Sequence, residues 1–128
     1  MPRFLNPPTI TPPSSRYSHG VAHDLHGRRL VISGQVGLRP DGTLADGLEA
    51  QLEQCWDNLI AVLRSADMDV ADLVKVTIFV TVPEAIAISR QVRERKLGGH
   101  APASTFLQVA GLARADFLAE IEAEAVKE

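Results

Sequence analysis

Gly99-His-Ala-Pro-Ala-Ser-Thr-Phe-Leu-Gln-Val-Ala-Gly-Leu-Ala-Arg-Ala-Asp-Phe-Leu-Ala-Glu-Ile-Glu122 carries the pattern that decides the fold class. It predicts a proline-led strand, a polar turn and a return strand. In the return strand Phe117, Ala119, Ile121, Ala123 and Ala125 fall on one face, and Leu118, Glu120, Glu122 and Glu124 on the other. A two-residue period is that of a half-buried strand. A row of carboxylates opposite an apolar face requires water, a cation or another subunit in front of it. Glu120, with Ser104 and Thr105 leading the preceding strand, therefore marks the candidate site.

Outward from this stretch, the same period recurs in Tyr17–Leu25 and, through Leu30-Val31-Ile32, in Arg29–Leu38. It appears again in Asp72–Thr81, where Val74, Val76, Ile78 and Val80 alternate with Lys75, Thr77 and Phe79. Between these strands Leu48, Leu52, Cys55 or Trp56, Leu59, Val62 and Leu63 recur at three- and four-residue steps, which predicts a helix over Ala45–Ala66. Thr81-Val82-Pro83-Glu84 has capping-box spacing and opens a second helix, which runs to about Leu97 and is stopped by Gly98-Gly99. The order is β-β-α-β-α-β-β, an α+β fold with one sheet backed by two helices. The other sheet face carries Phe79, Phe106 or Leu107, and Leu118, which predicts a covering subunit.

Residues Met1–Ser15 hold five of the eight prolines and are expected to form an extended arm. The chain of 128 residues reads as one domain, 1–128. Its formal charge is −3 and no run of Lys or Arg exceeds two residues, so nucleic-acid binding has no electrostatic support. A single cysteine, Cys55, beside Trp56 in the apolar helical pattern, reads as a core residue in a reducing compartment. No stretch resembles a signal peptide or a membrane span, and a cytoplasmic location is the expectation.

Glu120 is positioned to orient or activate a water. Tyr17, the only tyrosine, offers a hydroxyl donor on an aromatic wall. Gly34 lies inside Ser33-Gly34-Gln35, where a strand glycine signals either a close ligand approach or a β-bulge. His19 and His23 would stand about 13 Å apart on an extended strand and cannot share a metal, so no metal or cofactor is expected.

Pro102-Ala103-x-Thr105, Glu120-Ile121-Glu122-Ala123, Ser33-Gly34-Gln35 and Tyr17, in that arrangement over roughly Tyr17 to Val126, resemble the Rid (YjgF-type) family, whose deaminases hydrolyse reactive imines. The resemblance implies a chorismate-mutase-like fold, assembled as a homotrimer with sites for a small-molecule metabolite at the subunit interfaces. It gives Glu120 the water-holding role, Tyr17 the pocket wall and the Gly34 carbonyl a place facing the ligand. One position departs: imine deaminases of the family carry arginine, gripping the substrate carboxylate, where this chain has Ser104. A neutral hydroxyl replaces a bidentate cation there, a loss of about 2–5 kcal/mol. Phe106 stands where the family commonly has cysteine. Arg90, Arg16 and Arg114 are the arginines that this reading puts forward as replacements, Arg90 because the second helix contributes pocket residues in the family. A standard 2-imino-acid deaminase is therefore not expected. The alternatives are a hydrolase of other imines or enamines, and a non-catalytic metabolite-binding trimer.

Overall fold

The C-terminal alternation puts its strand at the centre of a sheet rather than at an edge. The computed structural model describes all 128 residues. Its elements are β1 (Arg3–Leu5), β2 (Gly20–Ala22), β3 (Arg28–Val36), α1 (Leu48–Ser65), β4 (Leu73–Val80), α2 (Ile86–Leu97), β5 (Ala103–Gln108) and β6 (Ala119–Lys127), with a 3₁₀ turn at Val70–Asp72. The main sheet has the order β3-β6-β4-β5, with β6 antiparallel to both neighbours and β5 parallel to β4.

β5 and β6 are consecutive in the chain but do not pair. β4, α2 and β5 form a parallel crossover, which places β5 on the outer side of β4 and leaves the inner side for β6. Ala119, Ile121, Ala123 and Ala125 are all buried, whereas Glu122 is exposed and Glu120 and Glu124 half-buried, as the alternation requires.

Two expectations change. The first strand, read over Tyr17–Leu25, pairs regularly only at Gly20–Ala22, and its partner is β1 in the proline-rich arm, giving a separate two-stranded ribbon. Arg3–Leu5 precede Pro7 and keep their N–H groups, so this part of the arm is free to pair. The second helix starts later than the Thr81–Glu84 spacing suggested. The Thr81 N–H donates to the Leu118 carbonyl at 3.0 Å, which continues the β4 edge, and Glu84 turns the chain at φ 59°. Helix α2 is capped by Ala85 without a side-chain bond, and the chain's capping box forms instead between Asp69 and Asp72. At the other end Gly98 takes the left-handed conformation that closes α2.

Leu52, Trp56, Leu59 and Leu63 of α1 are fully buried with Val76, Ile78 and Ile121 of the sheet. Cys55 lies among them, and burial, followed by the nearby Glu120 charge, pushes its thiol up to about 12. It is a core residue, as its pattern implied, and not a nucleophile. Helix α2 is tied to α1 on the surface by Arg95 with Glu53 and by Lys96 Nζ with Asp57 at 2.7 Å. Such exposed pairs orient the helices and add little stability. No helix of the chain is long and apolar enough to cross a membrane.

Candidate functional site

Register decides which candidate residues can meet. Ser104 pairs with Val76 and Phe106 with Ile78, so Ser104 and Phe106 share the helix-facing side of the sheet. They line an open pocket of ≈ 170 Å³ with Tyr17, Ile78, Arg90 and Arg93. Ser14 and Ser15 of the N-terminal arm close its wall. The arm is held there because Ser18 Oγ donates to the Ala101 carbonyl at 2.6 Å and the Ser18 N–H to the Pro102 carbonyl at 3.1 Å. Tyr17 is thereby fixed against the start of β5, its ring edge-on to His19 at 5.7 Å.

Glu120 pairs with Phe79 of β4 and Val36 of β3, on the opposite side of the sheet. The β3 register shifts between Ile32 and Gln35, so Ser33-Gly34 forms an irregularity facing Glu120. A Cβ added at Gly34 would overlap the Glu120 carboxylate. The two readings of Gly34 thus meet: the irregularity is present, and the missing side chain is what lets a functional group approach the backbone. Thr105 is also on this open side, its hydroxyl accepting from Lys75 Nζ at 2.7 Å.

Within one protomer, then, Tyr17, Ser104, Phe106 and Arg90 come together, and Gly34 and Glu120 come together, with Thr105 on the latter side. The sheet separates the two groups. The open side also displays Val31, 60% exposed, and Leu107, 43% exposed, beside the carboxylate row.

Of the arginines considered as replacements, Arg114 is engaged with Asp116 through bonds of 2.7 and 3.0 Å and stacks over Phe117. Arg16 lies by Gly99, outside the pocket lining. Arg90 is in the pocket, its Nη2 donating to Ser14 Oγ at 3.2 Å. Sequence reasoning missed Arg93, one turn further along α2, which is buried and reaches both Ser15 and Ser104. The available signal was its place on the Ser89, Val92, Arg93, Leu97 stripe, a buried-face position for an arginine.

The profile of the family described as Endoribonuclease L-PSP matches residues 9–127. Among curated relatives, the chain is 34% identical over 105 residues to the 2-iminobutanoate/2-iminopropanoate deaminase of Salmonella typhimurium, covering 79% of this chain and 81% of that one. It is 36% identical over 80 residues to a RutC family protein of Aquifex aeolicus, the match spanning 62% of either chain. The crystal structure of YyfB, a Rid-family protein of Yersinia pestis, superposes with a TM-score of 0.88 at 36% identity over 98% of both chains. Escherichia coli TdcF with bound serine does so at 0.73 and 28%, over 93% of this chain and 91% of that one. An α+β fold of this order, with this match, defines the class: the chain belongs to the Rid (YjgF-type, L-PSP) family.

Proposed function

We propose that this protein is a Rid-type hydrolase that releases ammonia from an imine or enamine metabolite in the cytoplasm, in a pocket completed between two subunits of a homotrimer. The observation that carries this reading is the carboxylate of Glu120 seated against the side-chain-free backbone of Gly34, on an open sheet face that is partly apolar. A ring of three identical subunits joined head to tail brings one protomer's open face to its neighbour's β5 edge. Glu120, Gly34 and Thr105 of one subunit would then face Tyr17, Ser104, Phe106 and Arg90 of the next. The names of the relatives support the reaction class, and the serine bound to TdcF supports a small, amino-acid-derived ligand.

In this reading Glu120 accepts a proton from water as the water oxygen bonds to the electrophilic carbon. That proton passes to nitrogen to give a carbinolamine. Glu120 then takes the hydroxyl proton and hands it to the departing nitrogen as the C–N bond breaks, so ammonia and a carbonyl compound leave. An enamine first takes a proton on carbon to become the imine. Tyr17 and Ser104 donate to ligand oxygens, and Phe106 supplies an apolar wall. No metal or cofactor is needed for these steps. RNA is not the expected substrate, since the charge is −3 and the open face presents carboxylates.

The test is ammonia release from imines generated in situ by an amino-acid oxidase, with and without the protein. Acceleration is expected; binding of such metabolites with no conversion would instead establish the non-catalytic reading, which the neutral Ser104 favours. Gly34→Ala provides a geometric check. The added methyl must displace the Glu120 carboxylate, so turnover should fall about tenfold or more, with no further loss when the change is made in a Glu120→Gln background. An additive loss would mean that Gly34 acts independently of Glu120.

A further inference from the structure

Arg90 and Arg93 stand three residues apart on α2 and both line the pocket. Arg93 is only 5% exposed. Its Nη2 donates to Ser15 Oγ at 3.1 Å and its Nη1 makes a long contact of 3.5 Å with Ser104 Oγ, while its buried Nε has no partner. No carboxylate lies within 4 Å of either arginine, although the neighbouring Arg95 and Lys96 of the same helix are both paired with acids of α1. Every polar side chain in the lining besides these arginines is a serine or Tyr17.

A guanidinium taken out of water and given only neutral hydroxyls is an uncompensated charge, which proteins seldom retain without a counter-ion. Burial, with Arg90 adding to it and Glu94 opposing, draws the Arg93 guanidinium below the ordinary arginine value. The edge that takes a carboxylate side-on, Nε with one Nη, carries at most one serine. Arg93 therefore brings to Ser104, from the helix, the fork that Ser104 itself lacks. Arg90 adds a second cation at the rim. The volume of ≈ 170 Å³ suits a metabolite of a few carbon atoms.

We infer that the pocket binds a small dicarboxylate, one carboxylate held by Arg93 beside Ser104 and Ser15 and the other by Arg90. This deepens the hydrolase reading by naming the substrate class, a 2-imino dicarboxylic acid, and rests on that reading only for what happens after binding. The dianion is selected because two unpaired cations and no acid of the same protomer line one small site. The Glu120 that a neighbour would bring is engaged with the water, so a monoanionic ligand leaves one guanidinium without a carboxylate partner.

Calorimetric titration of the intact protein with 2-oxoglutarate and with 2-oxobutanoate tests the assignment. Wild type should bind 2-oxoglutarate about tenfold or more tightly than 2-oxobutanoate, and less tightly as salt rises. Arg93→Gln should weaken both by about 30-fold or more. Arg90→Gln should chiefly abolish the preference, and Arg93→Lys, which keeps the charge, should retain part of the affinity if Arg93→Gln fails to fold. Equal affinity for the two ligands in wild type, or undiminished 2-oxoglutarate binding in Arg93→Gln, overturns the proposal. So does an Arg93→Gln protein that loses its assembly but not its anion binding, which would assign Arg93 to a carboxylate of another subunit. Binding of 2-oxoglutarate without ammonia release from the corresponding imine would refute the hydrolase reading and leave this one standing. Turnover indifferent to Arg93→Gln would do the reverse.

Discussion

Glu120→Gln is expected to lower kcat for imine hydrolysis by about 10²- to 10⁴-fold, the usual contribution of a positioned general base. The substitution is nearly isosteric, so the amide still fits against the backbone of Gly34, where a Cβ would not. It removes the capacity to take a proton from water while leaving the half-buried strand position filled. The folded state and its melting temperature should change little, because Glu120 makes no ion pair and faces away from the core. KM should move far less than kcat, since the ligand contacts, which the proposed assembly places on the neighbouring subunit, are untouched. Ammonia release under single-substrate conditions measures this. A variant retaining more than about a third of wild-type kcat would remove Glu120 from the chemistry.

The second large effect lies in the core. Leu59→Ala should destabilise the chain by about 2–5 kcal/mol, read as a lowered denaturation midpoint with little change of slope. Leu59 is completely buried at the middle of α1, among Trp56, Leu63 and the inner face of the sheet. Removing three carbons there loses the transfer term and leaves a cavity that close-packed neighbours fill only in part. Its effect on kcat at a temperature where the protein stays folded should be small, which separates the scaffold from the site. If Leu59→Ala were nearly neutral, the α1 seam would be loosely packed and the account of the core wrong.

Legibility in the sequence differed by element for physical reasons. The alternation of Ala119, Ile121, Ala123 and Ala125 against Glu120, Glu122 and Glu124 reports a strand with one dry face, and burial follows it residue by residue. The leucine-rich stripe of α1 was equally plain, because helix period and core burial are the same observation. Pairing partners were not legible. Nothing local in Ala103–Gln108 says that β4 will separate it from β6, since that follows from the handed crossover through α2. The capping-box spacing at Thr81–Glu84 misled because a backbone bond from Thr81 to Leu118 outcompetes a side-chain cap.

Of the candidate site residues read from the sequence, Tyr17, Ser104, Phe106 and Arg90 converge in one pocket, whereas Glu120 and Gly34 converge elsewhere. One residue of register assigns a strand side chain to one face or the other, and sequence proximity of Ser104 and Thr105 conceals that they point in opposite directions. Arg93 was passed over because an arginine in a charged helix normally reads as solvated. Only its position on the buried stripe distinguishes it from Arg95.

Subunit complementation tests most directly the claim that the catalytic pocket is shared between neighbours. Ser104→Phe fills the pocket and Glu120→Gln disables the water, and each homotrimer should be inactive. Unfolding the two together and refolding them as mixed trimers should restore about a quarter of wild-type activity, because each site draws its pocket from one chain and its glutamate from the next. Mixed trimers that assemble yet remain inactive would place both halves of the site in a single protomer, or leave Glu120 outside it, and would contradict the account.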